Sequence, residues 1–191
     1  MAVESIMLPL GTTAPEFALR DVVSGQVYKL DSFAGKAALL VMFLCRHCPY
    51  VAHVQDEIAK LGQDYADTAL GIVGISSNDP AHYPDDAPER LKEMAQGLAF
   101  RFPFCFDETQ DVAKAYKAAC TPDFYLFDAQ RRLVYRGQLD DSRPGGNQPV
   151  TGRDLRAAID AVLAGRPVAG NQKASIGCSI KWKPGNAPRY A

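Results

Sequence analysis

An unbroken apolar run, residues 37–44, stops at Cys45-Arg46-His47-Cys48-Pro49. Nothing else in the chain constrains the fold as tightly. The run is short and apolar throughout, which suits a strand buried on both faces. From Pro49 to about Tyr65 the apolar residues recur at helical spacing. A strand that feeds a C-x-x-C and then a helix is the pattern of a thiol redox site. The first turn of a helix has free N–H groups and the positive end of the macrodipole. A thiol placed there ionises more readily, and the thiolate is the form that attacks disulfides. Pro49 supports this placement, because proline fits a first helical turn and breaks a helix interior. Arg46 is permanently cationic and His47 can become so. Both adjoin Cys45, so the sequence predicts Cys45 as nucleophile and Cys48, further into the helix, as resolving thiol. A stabilised thiolate also makes the couple more oxidising.

The chain has 191 residues, enough for one domain with its own core. Its 21 basic and 22 acidic residues nearly cancel and are not clustered, so nucleic acid is not an expected partner. No apolar run approaches the roughly 20 residues of a membrane span. Residues 1–11 lack the basic segment and long apolar core of a secretory signal. The expected location is the cytoplasm, with thiols mostly reduced at rest. Five cysteines cannot all pair within one chain.

Around this centre the pattern alternates. Residues 1–15 read as an extended lead-in, and residues 16–20 and 26–30 as a hairpin turning at 21–25. Residues 69–76 read as a second buried parallel strand. A turn-rich loop, 77–88, precedes a helix over 89–98. Residues 102–106 read as an edge or bulged strand because of Pro103. A helix over 107–119, a second hairpin over 123–136 and a helix opening at Thr151 and ending before Gly165 follow. Residues 166–191 form a tail without clear periodicity. This order implies an α/β fold with a mixed central sheet.

A lone C-x-x-C could be half of a zinc site, but that needs a second pair of ligands. Cys105, Cys120, Cys178, His53 and His82 supply none at close spacing, so no metal is expected. The acidic loop 77–88 lacks the glycine and terminal Glu of an EF-hand and reads as a helix-capping loop. Thr121-Pro122 lies between a helix and a strand, where a cis proline would serve a tight excursion. An ordinary trans proline is the alternative. Its pairing with the upstream C-x-x-C favours cis.

These pieces resemble the thioredoxin-like superfamily, in its redoxin (AhpC/TSA, peroxiredoxin-like) branch. The likeness rests on Thr13-Ala14-Pro15-Glu16-Phe17, on Cys45 to Cys48, on Asp107-Glu108-Thr109 before Val112-Ala113-Lys114-Ala115-Tyr116, and on Thr121-Pro122 before Phe124-Tyr125-Leu126-Phe127-Asp128. It covers about residues 10–165 of a single domain, 1–191, with 166–191 as a tail packed on it. More narrowly, Cys48-Pro49-Tyr50-Val51 with Gly177-Cys178-Ser179-Ile180-Lys181-Trp182 resembles a peroxiredoxin-like thioredoxin family. The resemblance implies a thioredoxin-like fold with helices on both faces of the sheet, an N-terminal β-hairpin and an extended C-terminal tail. It also implies an active cysteine pair at the first helix, with cis Pro122 facing it. There are departures. Leu44 stands where thioredoxins carry Trp, no acidic residue lies between Lys36 and Cys48, and residues 39–44 lack the Pro and Thr of a peroxide pocket.

The function expected is thiol–disulfide exchange by Cys45 and Cys48, tuned by Arg46, His47, Thr121 and Pro122, with no cofactor beyond the Cys45–Cys48 disulfide. Substrates would be protein or small-molecule disulfides and thiols, recycled by a thioredoxin- or glutathione-type reductant. The backbone at Pro122 would hold an extended partner chain. A thiol peroxidase and a non-catalytic redox switch are the alternatives. Cys178 is a candidate third thiol, forming a disulfide with Cys45 or Cys48 if the tail folds back; otherwise it is a buried structural thiol. Cys105 and Cys120 read as inert core thiols.

Overall fold

The computed structural model describes residues 2–190; Met1 and Ala191, the outer ends of the expected lead-in and tail, lie outside them. The strands are β1 (Ala2–Glu4), β2 (Ala18–Asp21), β3 (Val27–Lys29), β4 (Ala38–Phe43), β5 (Leu70–Ser76), β6 (Phe104–Phe106), β7 (Cys120–Thr121), β8 (Asp123–Asp128), β9 (Leu133–Gly137) and β10 (Ile176–Ser179). The helices are α1 (Pro49–Asp64), α2 (Pro88–Gly97), α3 (Asp111–Ala115) and α4 (Arg153–Leu163).

Seven strands form one sheet in the order β3-β2-β6-β5-β4-β8-β9, and β1-β10-β7 form a smaller one. β4 is the hub, parallel to β5 and antiparallel to β8. All six of its residues are buried. Successive strand side chains point to opposite faces. Thus Ala38, Leu40 and Met42 share a core with Val51, Ile58, Leu91 and Leu155, while Leu39, Val41 and Phe43 share another with Val112, Tyr116 and Tyr125. The sheet is mixed and carries helices on both faces, a thioredoxin-like arrangement. Fully burying one Leu or Ile here contributes about 1.5–3 kcal/mol. Among the described residues no helix is long and apolar enough to cross a membrane.

Three local readings change. The helix expected over 107–119 shortens to α3. The buried Asp107 carboxylate accepts the backbone N–H of Ala113 at 2.9 Å, and Lys117 leaves helical geometry with φ +49°. The strand after Pro103 is internal, flanked by β2 and β5, because the proline falls just ahead of β6 and only its carbonyl is used, accepting Gly74 N–H at 3.0 Å. The tail is not irregular throughout: β10 pairs antiparallel with β1 and with β7.

Candidate active site

Cys45 lies just beyond β4, and Cys48 is the residue from which α1 starts. Cys48 has extended geometry (φ −78°, ψ 123°) and Pro49 occupies the first helical turn. The Cys48 sulfur, not that of Cys45, therefore meets the free N–H groups of the helix. Its pKa is lowered to about 4, first by a hydrogen bond from the Cys45 thiol, against the opposing effect of burial. The Cys178 thiol and the backbone N–H groups of Val51 and Cys178 add to the lowering. Cys45 moves the other way. Its hydrogen bond to Cys48, its burial and the Asp86 carboxylate all hold it protonated, well above the usual thiol range. Cys45 Sγ also lies 3.0 Å from Thr121 Oγ1. All five cysteines are free thiols.

The surroundings of the two sulfurs are thus unequal, and they favour the thiolate at Cys48 rather than at Cys45. α1 starts at Pro49, as the apolar spacing predicts, so its free N–H groups face the second sulfur. Nor is the thiolate open to solvent, since Cys45 and Cys48 are both 0% exposed. Cys178, which is only partly buried, is the least buried of the three residues.

Arg46 and His47 do not act as expected. The Arg46 guanidinium turns outward toward Glu93 at 3.7 Å and Asp85 at 3.9 Å. The His47 Nδ1 pairs with Asp86 Oδ2, and its ring stacks on Tyr83 at 5.2 Å. Carboxylates thus partner both side chains. Asp86 is fully buried and accepts the backbone N–H of Arg46 at 2.7 Å and of His47 at 3.2 Å, as well as Asn78 Nδ2 at 2.8 Å. It fixes the loop between the two cysteines. The sequence reading missed this residue, because its partners lie about 40 positions upstream and no local pattern links them. Among the described residues, Cys45, His47 and Asp86 bring donor atoms within 4.8 Å of one another. The donors already closing on Asp86 assign that carboxylate to loop organisation.

The Thr121–Pro122 bond is cis. The backbone beside it, expected to hold a partner chain, is already occupied: Cys178 pairs with Thr121 and Ser179 with Cys120. A Cβ on Gly177 would lie 2.0 Å from Thr121 O, so only glycine permits this approach. Ser175 Oγ donates to Pro122 O at 2.6 Å, and Lys181 N–H to Asn78 Oδ1 at 2.8 Å. These bonds anchor the segment at both ends.

The remaining candidates stand apart from the pair's chemistry. Burial pushes the Cys105 thiol up to about 12 and raises Cys120 as well. His53 meets Ser142 Oγ at 2.7 Å and His82 meets Asp79 Oδ2 at 2.6 Å. Asp123, directly after Pro122, is wholly buried and pushed up to about 8 by desolvation.

A mixed sheet with a thiol pair at the start of its first helix and a cis proline opposite defines a thioredoxin-like protein of the redoxin branch. The model of the AhpC/TSA family matches residues 10–136, and the chain belongs to that family. An uncharacterized conserved protein from Geobacillus kaustophilus is 56% identical, with a TM-score of 0.94 over 96% of this chain and 97% of that one. A hypothetical protein from Sinorhizobium meliloti 1021 is 47% identical, with a TM-score of 0.93 over 95% of this chain and 99% of that one. The protein FixW of Rhizobium leguminosarum is 24% identical over 138 residues, 69% of this chain; the match spans only 62% of FixW. More distant solved structures, at 22% and 18% identity with TM-scores of 0.57 and 0.63, share the thioredoxin-like fold and show the fold alone.

Proposed function

We propose that this protein is a thiol–disulfide oxidoreductase whose Cys45 and Cys48 cycle between dithiol and disulfide. The observation that carries the reading is the placement of the pair: Cys45 follows the central strand, Cys48 caps α1, and Thr121, before the cis Pro122, lies within 3.0 Å of one sulfur and 3.2 Å of the other. When β10 moves aside, the Cys48 thiolate attacks one sulfur of a substrate disulfide and expels the other as a thiolate. Cys45 then loses its proton and attacks Cys48, which closes the intramolecular disulfide and releases the second substrate thiol. Thr121 and Pro122 shape the wall opposite the pair. Arg46 and His47 act by fixing the loop through their carboxylate partners. The chain works as one domain with residues 166–191 as a packed tail, in the cytoplasm, without a resident cofactor. A thioredoxin- or glutathione-type thiol returns it to the reduced state.

The test is turnover of a small disulfide with dithiothreitol as electron donor. Activity is expected for wild type and is lost in Cys48→Ser. Cys45→Ser no longer closes the Cys45–Cys48 disulfide. Equal turnover by wild type and Cys48→Ser would end the reading. A second reading is favoured by one specific feature. A low-pKa cysteine followed by Pro49 at a helix start also suits attack on a hydroperoxide. The Cys48 thiolate would take one peroxide oxygen, giving a sulfenic acid and an alkoxide or hydroxide. Stopped-flow mixing with hydrogen peroxide separates the two, because only a peroxidase consumes it faster than a free thiol does.

A further inference from the structure

We infer that Cys178 is a third catalytic thiol, which takes over the Cys45–Cys48 disulfide as Cys48–Cys178 and carries it to the surface. This rests on the oxidoreductase reading above. Its basis is placement. β10 runs antiparallel to β7 with Cys178 opposite Thr121, and Thr121 Oγ1 and O lie 3.0 Å and 3.2 Å from the sulfurs of Cys45 and Cys48. Cys178 thus stands where an extended substrate cysteine would stand against the site. Cys178 packs against the core cluster that contains both Cys45 and Cys48.

Access makes the third sulfur necessary. Cys45 and Cys48 are 0% exposed, so an external thiol cannot reach a Cys45–Cys48 disulfide while β10 is docked. Of the three cysteines, only Cys178 is partly exposed. The tail is held by Gly177, whose missing side chain permits contact with Thr121 O, and by the Ser175 and Lys181 bonds to either side.

The exchange balances within the chain. Cys178 gives up its proton and attacks the Cys48 sulfur. The Cys48–Cys178 bond forms, the Cys45–Cys48 bond breaks, and Cys45 leaves with the electron pair and takes the proton. No electrons enter or leave. An external thiolate of the glutathione class then attacks the Cys178 sulfur. Cys48 departs as the thiolate that the helix start stabilises, which makes it a good leaving group. A second external thiol attacks the mixed disulfide on Cys178, releasing the external disulfide and a free Cys178 thiol. Burial and then the neighbouring Cys48 sulfur push the Cys178 thiol up to about 11 in the reduced protein. Oxidation of Cys48 removes that second contribution, so Cys178 ionises more easily when it is needed.

Two variants test this with oxidised and reduced glutathione as probes. Cys45→Ser, treated with oxidised glutathione, digested and mapped by mass spectrometry, is expected to hold a Cys48–Cys178 disulfide. Persistent glutathione on Cys48 beside a free Cys178 would overturn the inference. Cys178→Ser, checked for an unchanged melting temperature, is expected to form the Cys45–Cys48 disulfide normally. Reduced glutathione should then reduce it roughly tenfold more slowly than in wild type. An unchanged rate would also overturn the inference, and Cys178→Ala repeats the measurement without a hydroxyl. Failure of Cys178→Ser to form any Cys45–Cys48 disulfide would count against the oxidoreductase reading, while the Cys45→Ser map still decides the role of Cys178.

Discussion

The buried carboxylate of Asp86 closes on Nδ1 of His47 while also accepting the backbone N–H groups of His47 and Arg46. One side chain from the loop before α2 therefore sets the path of the chain between the two active cysteines. The same negative charge holds Cys45 protonated. Asp86 thus helps to make the pair unequal, and the inequality is what the proposed chemistry uses.

Removing that carboxylate has a structural cost. Asp86→Ala strands buried donors that each cost about 1–3 kcal/mol when unsatisfied. Urea unfolding should show a loss of a few kcal/mol, with a smaller loss in Asp86→Asn, which keeps one acceptor. Stability equal to wild type in Asp86→Ala would show that the loop is fixed by other means.

Gly177→Ala tests the docking of β10. The new methyl would stand 2.0 Å from a backbone oxygen, a contact that only displacement of the strand relieves. β10 belongs to the small sheet, so the seven-stranded sheet should stay folded. Alkylation of Cys48, mapped by mass spectrometry, should accelerate by an order of magnitude or more. An unchanged rate would mean that β10 does not guard the site.

Asp123 carries a pH signature. Tyr125 donates to its Oδ2 at 2.9 Å, and its Oδ1 has no partner among the described residues. Its pKa is about 8 in the fold, against about 3.9 for an exposed carboxyl. Between those values the unfolded chain sheds the proton that the native chain keeps, so stability falls as pH rises through the window. Asp123→Asn removes the slope. The variant and wild type should have similar stability near the lower end of that window, and the variant should be more stable by a few kcal/mol above its upper end. A constant difference across pH would contradict the assignment.

The sequence carried the sheet, the hub strand and the position of the thiol pair, because each is written in local periodicity. The run at 37–44 is apolar at every position, as a strand covered on both faces must be. What it could not carry depends on long-range partners. Nothing near Cys45 reveals that Asp86 will take the His47 ring and that Asp85 and Glu93 will draw the Arg46 guanidinium outward. The start of α1 at Pro49 is legible, but which sulfur meets its free N–H groups depends on the extended backbone of Cys48. Residues 176–179 become a strand only because the β7 edge accepts them, and Gly177, legible as a flexible residue, is there for closeness of approach. Asp107 shortens α3 through a buried cap that helical spacing does not register.

Ultraviolet thiolate absorbance against pH tests the central claim most directly, since it does not require a reagent to reach the sulfur. In the reduced protein one thiolate should persist into acid and titrate far below the usual thiol range, near the value of about 4 given by its surroundings. Cys48→Ser should abolish it, and Cys45→Ala should keep it with a raised midpoint, because the strongest hydrogen bond to it is gone. An acid-stable thiolate that survives Cys48→Ser and vanishes in Cys45→Ala would contradict the account.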